Sequence, residues 1–449
     1  MNVLLLALDT LRADHLSCYG YSKKTSPNID KLASKGVLFE RCYAPDIPTQ
    51  PAYTTIYTSR YGLEHGIVSH GAEEQTLPRD FKIFTELLQN AGFTTVAVDN
   101  LAVMKPWFKR GYEYYICPPK PLQFLTADEV NDRAIRWLKF YRDKQPFFMF
   151  LHYWDPHTPY TPPKEYMKLF YEGDEKDPRK APSMEPFKKS PFYHLMKRWM
   201  LELLPEVTDI KYISSLYDSE IRYLDDRLGE LFDTLDDLEL LDETLIVIMA
   251  DHGESLTEHG IFFDHHGVYE NTIHVPLILY SEEILPKGIK VPHFVEHVDI
   301  APTILEAVGL EIPEWMRGRS LFKVVKGKAP SRRFVVCGEC TYEARRAIVM
   351  DEWKLIKTYG GDLYNRPRIE LYNLRRDPQE GKNVAEEFPE VVNELELQMV
   401  RWIESILGEK PDPIRVQLGR YLPGHQWLKR ALESEGIPWE KWFERQRYI

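Results

Sequence analysis

Five of the fourteen histidines, His252, His259, His265, His266 and His274, fall within 23 residues, and Asp251, Glu254, Glu258 and Asp264 stand among them. A lone histidine is usually a satisfied structural residue. The tandem Asp251-His252, followed by Gly253, is different, because it offers an anionic oxygen and a ring nitrogen from adjacent positions. Such a mixed ligand set suits manganese, zinc, magnesium or calcium better than a metal that prefers thiolate. Asp9 is the natural third ligand, since Asp9 and Asp251 each follow a short aliphatic run. The competing role for Asp9 is to cap the turn that follows.

Ligands so far apart in sequence need a scaffold that gathers them. Val3–Leu8, Thr94–Val98, Phe147–Leu151 and Leu245–Ala250 are apolar without alternation, as in strands buried on both faces. Between them, Val130, Ala134, Trp137, Leu138 and Tyr141 recur at helical spacing behind a Thr126/Glu129 capping box. Tyr217, Ile221, Leu224, Leu228, Leu231 and Leu235 share one face of a second helix. The alternation predicts an α/β fold, a mostly parallel central sheet with helices on both faces. In such sheets ligands bind beyond the carboxyl ends of the strands. Asp9, His152, Asp155 and the Asp251-His252 pair all fall at those ends.

Residues 1–330 are read as the catalytic domain, with a proline-rich, charged excursion over 160–205 as a lid or wall of the site. After residue 330 the pattern changes. Arg333–Cys337, Ala347–Met350, Trp353–Lys357 and Glu370–Tyr372 predict short strands, and Pro389–Ile406 a helix. Together they imply a smaller antiparallel α+β subdomain over 331–408. The tail, 409–449, carries Trp427, Trp439 and Trp442, so it is expected to pack on the body or to form a homo-oligomer interface.

A formal net charge of -12 argues against a nucleic-acid-binding face. No stretch approaches the ~18 uninterrupted apolar residues of a membrane span. The N-terminal apolar run lacks a basic leader and is interrupted by Asp9 and Arg12, so it does not read as a signal peptide, and a cytoplasmic location is expected. Five cysteines without regular spacing do not suggest a disulfide framework, and Cys337-Gly-Glu-Cys340 has no second pair to complete a zinc site.

From about residue 2 to 405 the chain resembles the sulfatase family of the alkaline phosphatase superfamily. Leu8-Asp9-Thr10-Leu11-Arg12-Ala13-Asp14-His15, then Tyr19-Gly20 and Ser26-Pro27-Asn28-Ile29-Asp30, is similar to the family's opening. Asp155-Pro156-His157-Thr158-Pro159-Tyr160 looks like its PHxPY segment. Asp251-His252-Gly253-Glu254, with Glu258-His259-Gly260 and Val275-Pro276-Leu277, is similar to its second metal-binding region. Asp299-Ile300-Ala301-Pro302-Thr303 and Glu370-Leu371-Tyr372-Asn373-Leu374 with Asp377-Pro378 resemble its later landmarks.

The resemblance implies an alkaline phosphatase-like fold and metal-dependent hydrolysis of a small anionic sulfate or phosphate ester. It also exposes departures. The family's nucleophile lies in a Cys/Ser-x-Pro-x-Arg motif, and here the segment reads Thr49-Gln50-Pro51-Ala52-Tyr53. A threonine cannot become formylglycine, and Tyr53 stands in place of the arginine. Thr10 replaces the second aspartate of the usual pair, Asn100 falls where a lysine-bearing segment is expected, and His265 stands near the position of an anion-contacting lysine. By resemblance to threonine-dependent phosphodiesterases of the superfamily, Thr49 is the expected nucleophile and a metal ligand beside Asp9, Asp251 and His252, passing through a phospho-threonine. His157 or His265 would protonate the leaving oxygen. Asn100, Tyr53 and His266 are the expected substrate contacts. Asp264, His265, His266 and His157 could supply a second ion, as in bimetallic relatives. Two alternatives stand beside phosphate-diester or phosphonate-ester hydrolysis: a sulfatase acting without formylglycine, and a catalytically silent metal- or anion-binding protein.

Overall fold

The computed structural model describes residues 1–118, 124–141, 143–328 and 330–446. The aliphatic runs form the middle of a nine-stranded sheet. Asn2–Leu8 lies between Thr244–Met249 and Phe147–Tyr153, all parallel, with every residue of the three strands buried. Beyond Phe147–Tyr153 come Thr94–Val98 and then Tyr114–Ile116. On the other side, Leu277–Tyr280 runs antiparallel to both Thr244–Met249 and Val37–Tyr43, and Ile289–Glu296 completes the order parallel to Val37–Tyr43. The short strand His274–Val275 also pairs antiparallel with Val37–Tyr43.

Strand alternation sends successive side chains to opposite faces, and each face has its own helices. Phe147 packs against Trp137 of the helix Ala127–Tyr141, which lies beside the long helix Ile210–Asp237. Phe148 and Phe150 point the other way, onto Phe84 of the helix Phe84–Asn90 and onto Tyr53 and Tyr57 of Thr49–Thr58. The expected α/β arrangement is the one observed.

A second, five-stranded sheet follows in the order Ile369–Asn373, Trp353–Gly360, Ala344–Met350, Phe334–Glu339 and Asp46–Ile47. The first four strands are antiparallel, and Leu395, Met399 and Ile403 of the helix Pro389–Leu407 pack on Val336, Ile348, Leu355 and Leu371. The edge strand is an N-terminal segment. Asp46 and Ile47 pair parallel with Gly338 and Glu339, immediately before the helix that begins at Thr49.

Two segments hold helices that the sequence reading did not predict. The excursion contains Glu185–Lys188 and Tyr193–Trp199, and the tail contains Pro413–Leu418, Pro423–Ser434 and Trp439–Gln446. They pack together. Leu428, Leu432 and Trp442 of the tail share an apolar cluster with Phe192, Tyr342 and Leu363. Glu435 pairs with His194 at 2.8 Å and with Lys197 at 3.2 Å. The tail therefore lies on the body of the protein, although its last three residues fall outside the described ones. All five cysteines are free thiols, with Cys337 and Cys340 buried. Among the described residues no helix is long and apolar enough to cross a membrane.

Candidate active site

Register explains why the acidic residues meet. Ala7 stands beside Met249 in the parallel pair, and Asp9 and Asp251 each follow two residues later, at the carboxyl ends of neighbouring strands. Thr49 approaches them from the first turn of Thr49–Thr58. Its Oγ1 lies 3.2 Å from His252 Nε2. The same nitrogen lies 3.3 Å from Asp251 Oδ2 and 3.9 Å from Asp9 Oδ1. His252 Nδ1 donates to the Gly253 carbonyl at 2.9 Å, so in the neutral ring Nε2 is left as a lone pair.

The donor set fits a divalent cation. Asp9 Oδ1 and Asp251 Oδ2 are buried without a hydrogen-bond partner, which buried carboxylate oxygens rarely are. Asp9, Asp251 and His252 are fully buried, and their donor atoms lie within 4.8 Å of one another. Burial, and then the neighbouring Asp9 charge, pushes the Asp251 carboxyl up to about 7. Burial acts on Asp9 in the same sense, but hydrogen bonding to His152 and the nearby imidazoles outweigh it and hold Asp9 below its ordinary value. Two adjacent buried carboxylates of this kind are relieved by a cation.

His152 supports Asp9. Its Nε2 lies 3.0 Å from Asp9 Oδ2 and its Nδ1 2.8 Å from Asp99 Oδ1. Burial disfavours a charged ring, yet these two bonds raise the imidazole to about 9, so it donates from both nitrogens. Asp99 also accepts from the Leu101 amide and the Tyr115 hydroxyl. The sequence reading set His152 at a strand end without giving it a task.

Backbone conformation marks the same corner. Thr10 has φ 56°, which is unusual for a β-branched residue and costs of order 1–3 kcal/mol. It is held by Tyr217, whose hydroxyl donates to the Thr10 carbonyl at 2.7 Å and accepts from the Arg12 amide at 2.9 Å. The turn aims the Thr10 amide at Asp251 Oδ1, 3.3 Å away. Arg12 is buried and paired with Asp14 and Glu258 at 2.8 and 2.7 Å, a structural placement.

Thr49 opens onto a cavity of about 310 Å³ that His157, His265 and Asp264 also line. His157 Nδ1 donates to the Thr158 carbonyl, leaving Nε2 of the neutral ring as an acceptor. The His265 ring lies 4.7 Å from that of His252 and 5.0 Å from that of His157. Its Nδ1 stands 3.8 Å from Glu254 Oε1 and 3.7 Å from Asp264 Oδ1. Burial lowers both imidazoles, His265 well below its ordinary value, with the neighbouring rings adding to the effect.

His70 lines this cavity too, and sequence reasoning missed it. Its Nδ1 is buried and unpartnered, its amide donates to Thr341 Oγ1 at 2.9 Å, and burial pushes its imidazole down to about 4. Nothing in the run Val68-Ser69-His70-Gly71 distinguishes it from a loop histidine.

The three expected substrate contacts do not line the cavity. Asn100 Oδ1 accepts from Trp154 Nε1 at 2.9 Å, behind the wall that Trp154 forms. Tyr53 is buried edge-on to His152, with ring centroids 5.1 Å apart. His266 stacks on Tyr342 and its Nε2 bonds the Tyr364 hydroxyl at 2.8 Å. The second-ion grouping is not assembled either. Among the described residues no second set of three histidine, cysteine or acidic side chains brings its donor atoms so close together.

Known proteins share this architecture. The Sulfatase family model matches residues 1–310, and the model for the C-terminal region of N-sulphoglucosamine sulphohydrolase matches 257–405. N-acetylglucosamine-6-O-sulfatase of Bacteroides thetaiotaomicron is 24% identical, over 85% of this chain and 82% of its own length. Human iduronate 2-sulfatase is 26% identical over 70% of each chain. Among solved structures, one in complex with its substrate D-glucosamine-2-N,6-O-disulfate aligns with a TM-score of 0.75 at 22% identity, covering 92% of this chain and 99% of its own. The phosphonate monoester hydrolase of Agrobacterium radiobacter aligns with a TM-score of 0.71 at 21% identity, covering 91% and 95%. With the family model matched across the sheet and its acidic strand ends, the chain belongs to the sulfatase family, whose members are hydrolases of sulfate esters.

Proposed function

We propose that the protein is a metal-dependent hydrolase of phosphate diesters or phosphonate esters, with Thr49 as its nucleophile. The observation that carries this reading is the convergence of Thr49 Oγ1 with His252 Nε2 and the two unpartnered carboxylate oxygens of Asp9 and Asp251. Threonine keeps its hydroxyl and cannot supply the aldehyde hydrate on which the family's sulfate chemistry depends, whereas a hydroxyl is a competent nucleophile at phosphorus.

Asp9, Asp251, His252 and Thr49 would hold a divalent cation, which when bound lowers the hydroxyl pKa and neutralises charge on the transferred group. The protein groups do the rest. Thr49 Oγ1 forms a bond to phosphorus as the ester oxygen leaves, giving a phospho-threonine and an alcohol. The neutral His157 ring, with its Nδ1 proton committed to Thr158, presents Nε2 to accept the hydroxyl proton. The imidazolium so formed at His157 passes that proton to the leaving oxygen, to which the neutral His265 ring can only hydrogen-bond. Water then attacks phosphorus and gives a proton to His157 as the bond from phosphorus to Thr49 Oγ1 breaks. That proton passes to Oγ1, restoring the hydroxyl and releasing the phosphate or phosphonate product.

The test is parallel hydrolysis of p-nitrophenyl sulfate, phosphate, phosphodiester and phosphonate by manganese- or zinc-loaded protein and by its Thr49→Ala variant. Diester or phosphonate turnover that falls on the order of 10³-fold in the variant is expected. Undiminished turnover in Thr49→Ala would remove the nucleophile assignment. The family match favours a second reading, sulfate-ester hydrolysis without formylglycine. Sulfate turnover that depends on Thr49 would select it.

A further inference from the structure

The cavity at Thr49 sets a few polar side chains among aromatic ones: His70 lies edge-on to Trp427 at 5.8 Å, and His157 lies 5.4 Å from Trp154. Among the described residues its ionisable lining side chains are His70, His157, His265, Asp264 and Tyr342, and none is an arginine or lysine. The remainder is aromatic and aliphatic. Phe124 lies against Trp154 and Trp199, with ring centroids 4.2 and 5.9 Å apart. Trp427 meets Tyr342 edge-on at 5.7 Å. Met104, Leu195 and Met196 fill in between.

Most of this wall comes from outside the central sheet. Leu195, Met196 and Trp199 belong to the excursion, and Trp427 to the tail, beyond residue 405 where the family-model matches end. The wall is built rather than incidental. Gly71 has φ +78°, and a Cβ there would stand 2.5 Å from Trp427 Cζ2, so the loop that carries His70 is shaped to let the indole in. Trp199 is fixed through Nε1, which donates to the Thr158 carbonyl at 3.2 Å, next to His157. Apolar surface continues outward: Trp199 is 42% exposed and Leu203, one short turn further, is 55% exposed.

A sulfated or phosphorylated sugar needs hydrogen-bonding partners for its hydroxyls and cations for any second anionic group. Among its described residues the wall offers no cation, and its hydrogen-bonding side chains are few beside its aromatic ones. Thr158 Oγ1 already accepts from Trp199, and Asp264 is acidic. A flat apolar group, by contrast, gains by burial and by stacking against indole rings.

We propose that Trp199 and Trp427 set specificity, so that the ester accepted at Thr49 carries an aromatic or comparably flat apolar organic group rather than a saccharide. The inference rests on the anion site at Thr49 proposed above, but not on which ester is cleaved there.

Calorimetric binding to the manganese-loaded Thr49→Ala protein separates the two. Phenylphosphonate should bind on the order of tenfold more tightly than methylphosphonate, and glucose 6-phosphate should gain nothing over methylphosphonate. Trp199→Ala, with its fold checked by circular dichroism, should narrow the phenyl-to-methyl gap. Trp427→Ala should narrow it further, with methylphosphonate affinity unchanged in both. Equal binding of phenyl- and methylphosphonate, a preference for glucose 6-phosphate, or a gap that survives both replacements would overturn the inference. Failure of every anion to bind both the Thr49→Ala variant and the manganese-loaded wild-type protein would remove the site itself and the inference with it, an outcome distinct from loss of the phenyl preference alone.

Discussion

The floor and the roof of the cavity are built in different ways. The floor is polar, fully buried and placed by backbone register: Asp9 and Asp251 emerge from adjacent parallel strands, and Thr49 from the start of a helix packed on the same sheet. The roof is apolar and partly exposed, and its position depends on side chains of the excursion and the tail packing on each other. Chemistry is thus tied to the part of the chain that folding can least afford to vary. Selectivity is assigned to parts that can change without disturbing the sheet.

Replacements can break the two regions separately. Asp251→Ala removes a ligand from the floor and should lower ester turnover on the order of 10³-fold, with bound metal, measured by elemental analysis, falling in parallel. The roof should survive it. Metal content and turnover both unchanged would place the ion elsewhere.

Leu428→Ala strikes the roof instead. Leu428 is fully buried in the cluster that joins tail to excursion, and its truncation should cost about 2–5 kcal/mol of local stability. Limited proteolysis should cut the tail sooner, while denaturant unfolding of the central domain stays in place. A matching loss across the whole protein would show floor and roof to be one cooperative unit.

His152→Gln tests how far the floor relies on its support. The amide can bond only one of Asp9 and Asp99 as the imidazolium bonds both, so metal affinity should weaken about 10–100-fold by calorimetric titration, with the fold intact by circular dichroism. An unchanged affinity would make Asp9 self-sufficient.

The smallest effect is expected at the rim. Burial raises the Glu258 carboxyl, but Arg12 overcomes this and holds it at about 2, below its ordinary 4.5. Its contribution is therefore fully present above about pH 4.5 and lost as pH falls towards 2. Stability of Glu258→Gln, followed by thermal melts from pH 7 to pH 3, should decline less steeply on acidification than that of the parent. Parallel curves would leave the ion pair without weight.

What was legible in the sequence follows the same division. Asp9 and the Asp251-His252 pair could be picked out because each directly follows an unbroken aliphatic run, and a parallel sheet sends such ends to one edge. The strands after residue 330 were legible for similar reasons. His152 bridging Asp9 and Asp99 was not, because the bridge joins three strand ends across 143 and 53 positions of sequence. The helices of the tail escaped because their apolar residues are sparse and their order comes from Phe192 and Tyr342 far away. Asn100 and Tyr53 were placed by motif position and His266 as one of the histidine cluster, and their side chains are taken up by Trp154, by packing against His152 and by Tyr364.

The strand Asp46–Ile47 has a consequence for biosynthesis. It ends two residues before Thr49, and its hydrogen-bonding partner, Phe334–Glu339, is made much later. A nascent chain emerging from the ribosome would thus carry Thr49, the proposed nucleophile, long before the strand that anchors it exists. Contacts this distant in sequence form late. The polypeptide should remain inert towards esters until translation is well into its C-terminal sheet, a timing imposed by topology alone.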